Sequence, residues 1–178
     1  MSNLIEMDII QTIFKRRSIR KYREQVVSDQ ILVSLLKAGM AAPTACNNQP
    51  WEFIIVTDPI SMVKLRNSLE HGKYNAPAAI IVCHNAKIGK NPKCDPFWIQ
   101  DCSAAVENII IAATGLGLGT VWLGVYPKED AIESVSQSMG IPSNVTPLAV
   151  IYIGYPAEHK PARTQYDESR VHWQNYSG

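Results

Sequence analysis

Apolar residues near the start of the chain recur at the spacing of amphipathic helices. The first set predicts a helix that runs into a basic stretch and comprises Ile5, Ile9, Ile10, Ile13 and Phe14. A second helix is predicted to begin after Ser28, whose hydroxyl is a suitable N-cap, and to end before Pro43. Its apolar face would consist of Ile31, Leu32, Leu35 and Leu36.

Four runs rich in β-branched and aromatic residues predict strands. They are EFIIVT (52–57), AAIIVC (78–83), TVWLGVY (120–126) and LAVIYIGY (148–155). Helix signals lie between them, and the first is Asp58, an N-cap followed by a proline. Pro96 is predicted to open a long apolar helix that ends near Gly115. Pro127 is predicted to open another, which ends at Gly140.

The order of these elements predicts the fold class. Helices and strands mix without strict alternation, which is typical of an α+β sandwich with helices packed on a sheet. A chain of 178 residues suffices for one domain, and no linker or repeat divides residues 1–178. The tail from Pro156 is polar and aromatic and offers little to a core of its own.

Composition narrows the function classes. The chain has 46% hydrophobic and 19% charged residues, as globular proteins do, and its net charge of +1 argues against a nucleic-acid binder. No apolar run approaches the ~20 residues of a membrane helix, and no secretion signal is expected. The cysteines form no CxxC pair and are interpreted as reduced thiols of a cytoplasmic protein: Cys46, Cys83, Cys94 and Cys102.

The basic character is concentrated in one stretch, KRRSIRK (15–21), which holds five positive charges around Ser18. Such a cluster can simply complement the negative end of a helix dipole. Alternatively, guanidinium groups around a hydroxyl match the oxygens of a phosphate monoester. Arg16 and Arg20 are four residues apart, so a continued helix would place them on one side. A local anion is the favoured ligand.

A second stretch, APTACNNQPWEF (42–53), concentrates polar side chains just before a predicted strand. Proline and asparagine favour a turn there. The same stretch also offers donors and acceptors that suit a polar ring ligand, on Thr44, Asn47, Asn48 and Gln49.

The glycines of TGLGLGTVWLGVY (114–126) fall into two groups. Those from Gly115 to Gly119 follow a helix and precede a strand, which is the reverse of a dinucleotide-binding fingerprint. They are predicted to end the helix and turn the chain. Gly124 lies inside an apolar strand, where a glycine often marks a bulge or a close approach of a ligand to the backbone.

Motifs for nucleophilic or metal chemistry are missing from the sequence. Neither GxSxG nor HExxH occurs, and the histidines are scattered at His71, His84, His159 and His172. Cys83 and His84 are adjacent, but neighbours in a strand point to opposite faces. An enzyme with so few candidate catalytic groups is expected to take its chemistry from a cofactor.

Four segments, taken in order, resemble the flavin-dependent nitroreductase family and in particular its short members. They are RRSIRKY (16–22), AAPTACNNQPWEF (41–53), QDCSAAVENIIIAATGLGLGTVWLGVYP (100–127) and IGYPAEHKPARTQYDES (153–169). The resemblance spans nearly the whole chain. It implies a nitroreductase-like α/β sandwich with a central mixed sheet flanked by helices. It also implies a homodimer with FMN at the subunit interface and a C-terminal arm that extends to the partner subunit.

The resemblance also implies which residues bind FMN. Those that match the phosphate contacts or adjoining cofactor positions are Arg16, Arg17, Ser18, Lys160 and Arg163. Arg20 matches a basic position near the pyrimidine edge of the flavin. A loop that reaches the flavin from the partner subunit is matched by Pro43, Thr44 and Asn47. The strand whose backbone amides face flavin N5 and O4 is matched by Leu123 and Gly124. The family often adds an asparagine, for which Asn67 and Asn75 are both candidates.

The implied reaction is oxidation of NAD(P)H with ping-pong kinetics. A hydride passes from the nicotinamide to flavin N5 and then to a nitroaromatic, quinone or similar conjugated acceptor. Neither a catalytic side chain nor a metal is expected. The alternatives on the same scaffold are dehalogenation, enone reduction and flavin fragmentation. Outside catalysis, the alternative is a flavin-binding storage or sensor protein without turnover.

Overall fold

The computed structural model describes residues 9–176. Its helices are α1 (Ile9–Lys15), α2 (Asp29–Met40), α3 (Pro59–Asn67), α4 (Trp98–Gly115) and α5 (Glu129–Met139). Its strands are β1 (Trp51–Val56), β2 (Ala78–Asn85), β3 (Gly119–Gly124) and β4 (Val145–Gly154). Short 3-10 turns cover Ala45–Asn47, Pro92–Phe97 and Glu168–Arg170. Ile5, assigned from the sequence to the first helix, lies outside the described residues.

Local capping signals set most of the helix ends. The Ser28 hydroxyl accepts a hydrogen bond from the Ile31 amide at 3.4 Å, and α2 follows it as predicted. The Asp58 carboxylate accepts from the Ser61 amide at 2.7 Å and begins α3. Gly140 ends α5 in the left-handed conformation, at φ 67°.

Two helix starts differ from the prediction. Pro96 does not open α4 but lies in the 3-10 turn before it, and α4 begins at Trp98. The turn starts early because the side chain of Asn91 accepts from the Lys93 amide and caps it. Similarly, α5 begins at Glu129, two residues after Pro127. A proline is compatible with a tight turn as well as with a first helical turn, so it does not fix the start.

The strands form one sheet in the order β1-β2-β4-β3, and all neighbouring strands are antiparallel. The sequence had predicted a mixed sheet. The difference arises because β4 lies between β2 and β3, which run in the same direction. Parallel pairing among the described residues is limited to an isolated bridge between Ser18 and Thr120.

Helices cover both faces of this sheet, which confirms the α+β sandwich. On one face the core joins α2 and α4 to the central strands through Leu32, Leu35, Val106, Ile109, Ile80 and Ile151. On the other face it joins α3 and α5 to them through Met62, Leu65, Val135, Ile81 and Tyr152. β2 and β4 are therefore central and buried, while β1 and β3 are the edges.

The chain after β4 is irregular apart from the turn at Glu168–Arg170, and residues 161–171 are exposed. Its aromatic side chains are largely in solvent, with Tyr166 72%, Trp173 80% and Tyr176 85% exposed. Within residues 9–176, no helix combines the length and the hydropathy needed to cross a membrane.

Candidate functional site

The basic segment, residues 16–21, leaves α1 and runs alongside the edge strand β3. The Ile19 amide donates to the Thr120 carbonyl at 2.8 Å. Gly119 makes this approach possible, because a Cβ there would come within 2.8 Å of the Ile19 side chain. The first helix runs into the basic stretch as predicted and ends at its first residue, Lys15, so helical spacing does not bring Arg16 and Arg20 to one side. An extended chain instead places Ser18 and Arg20 on one side and Ile19 on the other.

Two cations of the predicted site fasten the C-terminal segment to the basic segment. Arg17 donates from Nη1 to the Pro161 carbonyl. Lys160 donates from Nζ to the Ser18 carbonyl at 2.5 Å and lies 3.5 Å from the Glu158 carboxylate. Both side chains lie where the basic segment meets the C-terminal segment, and both already bind protein groups. Their first role is therefore to position the chain.

Glu158 contacts the basic segment, and the sequence reasoning did not single it out. Its Oε1 accepts from the Arg20 amide at 2.5 Å and from the Lys21 amide at 3.3 Å. These bonds, with Lys160 nearby, lower the pKa of the Glu158 carboxyl. Arg20 and Glu158 are 138 residues apart in sequence, so no local pattern could reveal the contact.

Arg163 also reaches the basic segment. The Arg163 amide donates to the Phe14 carbonyl at 3.1 Å, so Arg163 lies beside the end of α1. Phe14 is two residues before Arg16 in the sequence. Arg163 is exposed, whereas Arg16 and Ser18 are half-buried. The structure therefore brings three predicted phosphate ligands into one region: Arg16, Ser18 and Arg163.

The pairing of β3 decides which backbone amides lie at the open edge of the sheet. The Thr120 carbonyl faces outward, since it accepts from Ile19, while the Val125 amide donates inward to Leu148 on β4 at 3.0 Å. Backbone groups alternate along an antiparallel strand. The amides of Trp122 and Gly124 therefore face the open edge, and that of Leu123 faces β4. This corrects the expectation of an outward Leu123 amide, and it adds Trp122.

A cavity of about 500 Å³ lies next to this open edge. One wall consists of Trp122, Leu123 and Gly124, and the other walls are residues 68–71 and the start of α5. A Cβ built on Gly124 would meet no atom within 4 Å, so a ligand can approach the backbone there. Across the cavity mouth, Lys128 Nζ lies 3.2 Å from Glu70 Oε2.

The two asparagine candidates occupy different places. Asn75 is bound to the backbone of Tyr22, accepting from its amide at 3.0 Å and donating to its carbonyl at 2.7 Å. Its side chain is therefore engaged by the protein. Asn67 is the last residue of α3 and is exposed. The cavity wall is formed by the next residues, from Ser68 to His71, which the sequence reasoning did not single out.

The predicted loop residues Pro43, Thr44 and Asn47 do not line the cavity beside Gly124. Their loop is internally bonded: Thr44 Oγ1 accepts from the Gln49 amide at 3.2 Å, and Asn47 Oδ1 accepts from Gln49 Nε2 at 2.8 Å. Pro43 and Asn47 are exposed. Within one subunit, this loop thus contributes nothing to the cavity beside Gly124.

The adjacent Cys83 and His84 do not form a nucleophile pair. His84 Nε2 lies 2.8 Å from Asp95 Oδ1, and its ring stacks on Trp98 at 4.6 Å. Cys83 packs in the core on the opposite face, where burial raises the pKa of its thiol to about 12. Among residues 9–176, no group of His, Cys, Asp or Glu is arranged to hold a metal ion.

Comparison with known proteins gives a consistent result. The model of the nitroreductase family matches residues 13–71 and 63–155. A provisionally named NADH dehydrogenase/NAD(P)H nitroreductase of Archaeoglobus fulgidus is 42% identical over 170 residues, or 93% of this chain and 97% of the relative.

Solved structures agree with the family match. An FMN-dependent nitroreductase from Clostridium difficile is 32% identical, with a TM-score of 0.84 over 94% of this chain and 99% of its own. A provisionally named nitroreductase from Desulfovibrio desulfuricans, solved in complex with FMN, is 28% identical, with a TM-score of 0.79 over 97% and 99%. Sequence and fold lead to the same conclusion, that this chain belongs to the nitroreductase family.

Proposed function

We propose that this chain is an FMN-dependent NAD(P)H oxidoreductase that reduces nitroaromatic, quinone or similar conjugated acceptors. The observation that carries the proposal is the open edge of β3. There the Gly124 amide borders a cavity of about 500 Å³, and the basic segment is paired to the same strand. A basic segment suited to a phosphate and a ring-sized space therefore adjoin one strand.

The residues present fit FMN. One end of FMN is a phosphate monoester, which suits the guanidinium and hydroxyl groups of Arg16, Ser18 and Arg163. The other end is a flat ring with acceptor atoms on its edge, which suits an outward amide at a glycine. Lys160 and Arg17 would support this site by holding the C-terminal segment in place.

When bound, FMN supplies the two-electron chemistry, accepting a hydride from NAD(P)H and delivering it to the acceptor, with one site used twice in ping-pong order. The protein contributes position and charge. The Gly124 amide would donate a hydrogen bond to the ring, and the Arg20 guanidinium would stabilise the negative charge that the ring gains on reduction. No protein side chain is required as an acid, because solvent supplies protons.

We further propose that the active form is a homodimer in the cytoplasm. The exposed loop with Pro43, Thr44 and Asn47 would reach the FMN of the partner subunit, and the exposed C-terminal arm would cover that subunit. The exposure of Trp173 and Tyr176, at 80% and 85%, supports this proposal. The free cysteines fit a reducing compartment.

The test begins with the absorbance spectrum and the released cofactor of the purified protein. FMN should be found, and NAD(P)H added without oxygen should bleach it within seconds, after which a quinone should restore the colour. A flavin that NAD(P)H does not reduce would favour the storage or sensor alternative. FAD, or failure to bind any flavin on reconstitution, would contradict the proposal.

A further inference from the structure

We propose that Asp101 of α4 is a positioning residue for FMN binding, acting through the loop at residues 44–49. Asp101 Oδ1 accepts a hydrogen bond from the Ala45 amide at 2.8 Å. Ala45 stands between Thr44 and Asn47, two residues assigned to the flavin. The inference rests on the proposed function, since it names a residue that supports the same site.

The loop needs external support because its backbone is unfavourable. Cys46, Asn47 and Gln49 all adopt left-handed conformations, with φ of 49°, 53° and 52°. Residues other than glycine are disfavoured in this region of backbone conformation. Three of them within four positions persist only where other contacts hold the loop in place. The conformation of Asn47 is thus set by what fixes the loop from outside.

Residues 90 and 91 fix the second half of the loop. Asn48 is 1% exposed, and its carbonyl accepts from the Lys90 amide at 3.0 Å. Its side-chain Oδ1 accepts from the Asn91 amide at 2.7 Å. Gln49 Oε1 accepts from Lys90 Nζ at 2.5 Å. These contacts hold the loop from Asn48 onward.

Asp101 fixes the first half. The 3-10 turn Ala45–Asn47 begins at Ala45, whose amide donates to Asp101 Oδ1. The Thr44 side chain does not cap that turn. A carboxylate in the first turn of α4 thus takes the place of the missing cap and joins the loop to a core helix. If it is lost, the turn can relax and carry Asn47 with it.

An acid at position 101 is not the most stabilising choice, because within residues 9–176 its second carboxyl oxygen has no hydrogen-bond donor. Asp101 is 3% exposed, and its Oδ2 is buried without a hydrogen-bond partner among the described residues. An asparagine could accept from Ala45 equally well without placing a carboxylate in the core. We assign the contact to Ala45, and not the charge, to FMN binding, and the Asp101→Asn variant tests that assignment.

Three variants test this contact from both of its ends. Asp101→Ala removes the acceptor, and Asp101→Asn keeps an acceptor oxygen. Ala45→Pro removes the donor, and it suits the backbone because Thr44 is extended, at φ −136° and ψ 154°, and residue 45 begins a turn. The matched control is Asp58→Ala, which removes another bond from a carboxylate to an amide, at the start of α3.

The measurements are the FMN dissociation constant of each refilled apoprotein and its unfolding by urea. We expect FMN to bind about tenfold more weakly to Asp101→Ala and to Ala45→Pro, as for loss of one hydrogen bond. The double variant should be no weaker than either single variant. Asp101→Asn should stay within about threefold of wild type, and Asp58→Ala should lower stability only.

Several results would overturn the inference. One is unchanged FMN affinity in Asp101→Ala or, if that variant does not fold, in Ala45→Pro. Another is Asp101→Asn as weak as Asp101→Ala, because the charge would then matter and not the contact. If the losses of FMN affinity add up in the double variant, Asp101 and Ala45 act independently and their hydrogen bond is not the cause. Failure of the wild-type protein to bind FMN would instead overturn the proposed function, and the inference with it.

Discussion

The Ile19 amide donates to the Thr120 carbonyl at 2.8 Å, and this bond places the basic segment on the edge of the sheet. Ser18 and Arg20 then flank the same strand that carries Trp122 and Gly124. The outward amides of Trp122 and Gly124 lie beyond the part of β3 that is paired with the basic segment. One half of this strand edge is therefore paired, and the other half is open. A ligand with an anionic end and a flat end fits along that edge.

Two strand glycines should respond to substitution in opposite ways. A side chain at Gly124 meets no atom within 4 Å, so Gly124→Val should change the free energy of unfolding of the apoprotein by no more than about 1 kcal/mol. It should nevertheless weaken FMN binding by about tenfold or more, because it fills the space at the outward amide. Urea unfolding and FMN titration measure the two effects.

Gly154→Ala is the control. Its Cβ would lie 2.6 Å from Pro77 Cδ and 2.9 Å from Tyr22 Cδ1, two ring atoms that cannot easily give way. We expect a loss of stability of about 1–3 kcal/mol with FMN affinity retained in the folded fraction. If Gly124→Val binds FMN as wild type does, the ring does not lie at this edge.

The sequence predicted what local interactions determine. Ser28 and Asp58 begin helices and Gly140 ends one, through contacts within four residues that follow from the local sequence. The site depends instead on distant pairing. Glu158 meets Arg20 across 138 residues, and the outward direction of Gly124 follows from its register with β4. Single-residue patterns do not carry a register, which is why the Leu123 amide was misassigned.

Removal of the arginines assigned to the phosphate should weaken FMN binding more than it alters turnover. Arg16→Ala and Arg163→Ala each remove a charge-assisted hydrogen bond, worth about 1.5–3 kcal/mol. We therefore expect dissociation constants about ten- to a hundredfold higher, with kcat at saturating FMN changed much less. Lys21→Ala is the matched control, since this exposed cation belongs to the same basic segment but matches no phosphate position.

If Lys21→Ala weakens FMN binding as much as Arg16→Ala does, the basic segment attracts the phosphate only through its total charge, and the assignment of specific phosphate ligands is wrong. If Arg16→Ala lowers kcat while FMN affinity is retained, Arg16 belongs beside the reacting ring.

Stability should depend on pH through Glu158. Hydrogen bonds from the Arg20 and Lys21 amides, with Lys160 nearby, lower its pKa in the folded protein below the ordinary value of 4.5. A lowered carboxyl pKa stabilises the fold above the unfolded-state pKa, and the contribution is lost as pH falls from about 4.5 through the folded-state pKa. Glu158→Gln should therefore be less stable than wild type at neutral pH.

In urea titrations between pH 6 and pH 3, the gap between wild type and Glu158→Gln should narrow as pH falls. A constant gap would show that Glu158 does not titrate as its hydrogen bonds require. Glu24→Gln is a suitable control, because this exposed acid lies at the surface near the same segment.

Deletion of residues 165–178 should lower dimer stability and FMN content together. The deleted arm carries Tyr166, Trp173 and Tyr176, which are 72%, 80% and 85% exposed in the single subunit. Burial of each such side chain against a partner contributes at most about 1.5–3 kcal/mol, so their joint removal should shift association strongly. Because the loop with Asn47 is proposed to complete the FMN site of the partner, dissociation should also release flavin. Light scattering with parallel flavin absorbance, over a dilution series, measures both quantities.

The double variant Trp173→Ala/Tyr176→Ala should lower dimer stability and FMN content in the same direction, by a smaller amount. A truncated protein that is monomeric and still holds a full complement of FMN would show that each subunit binds its cofactor alone.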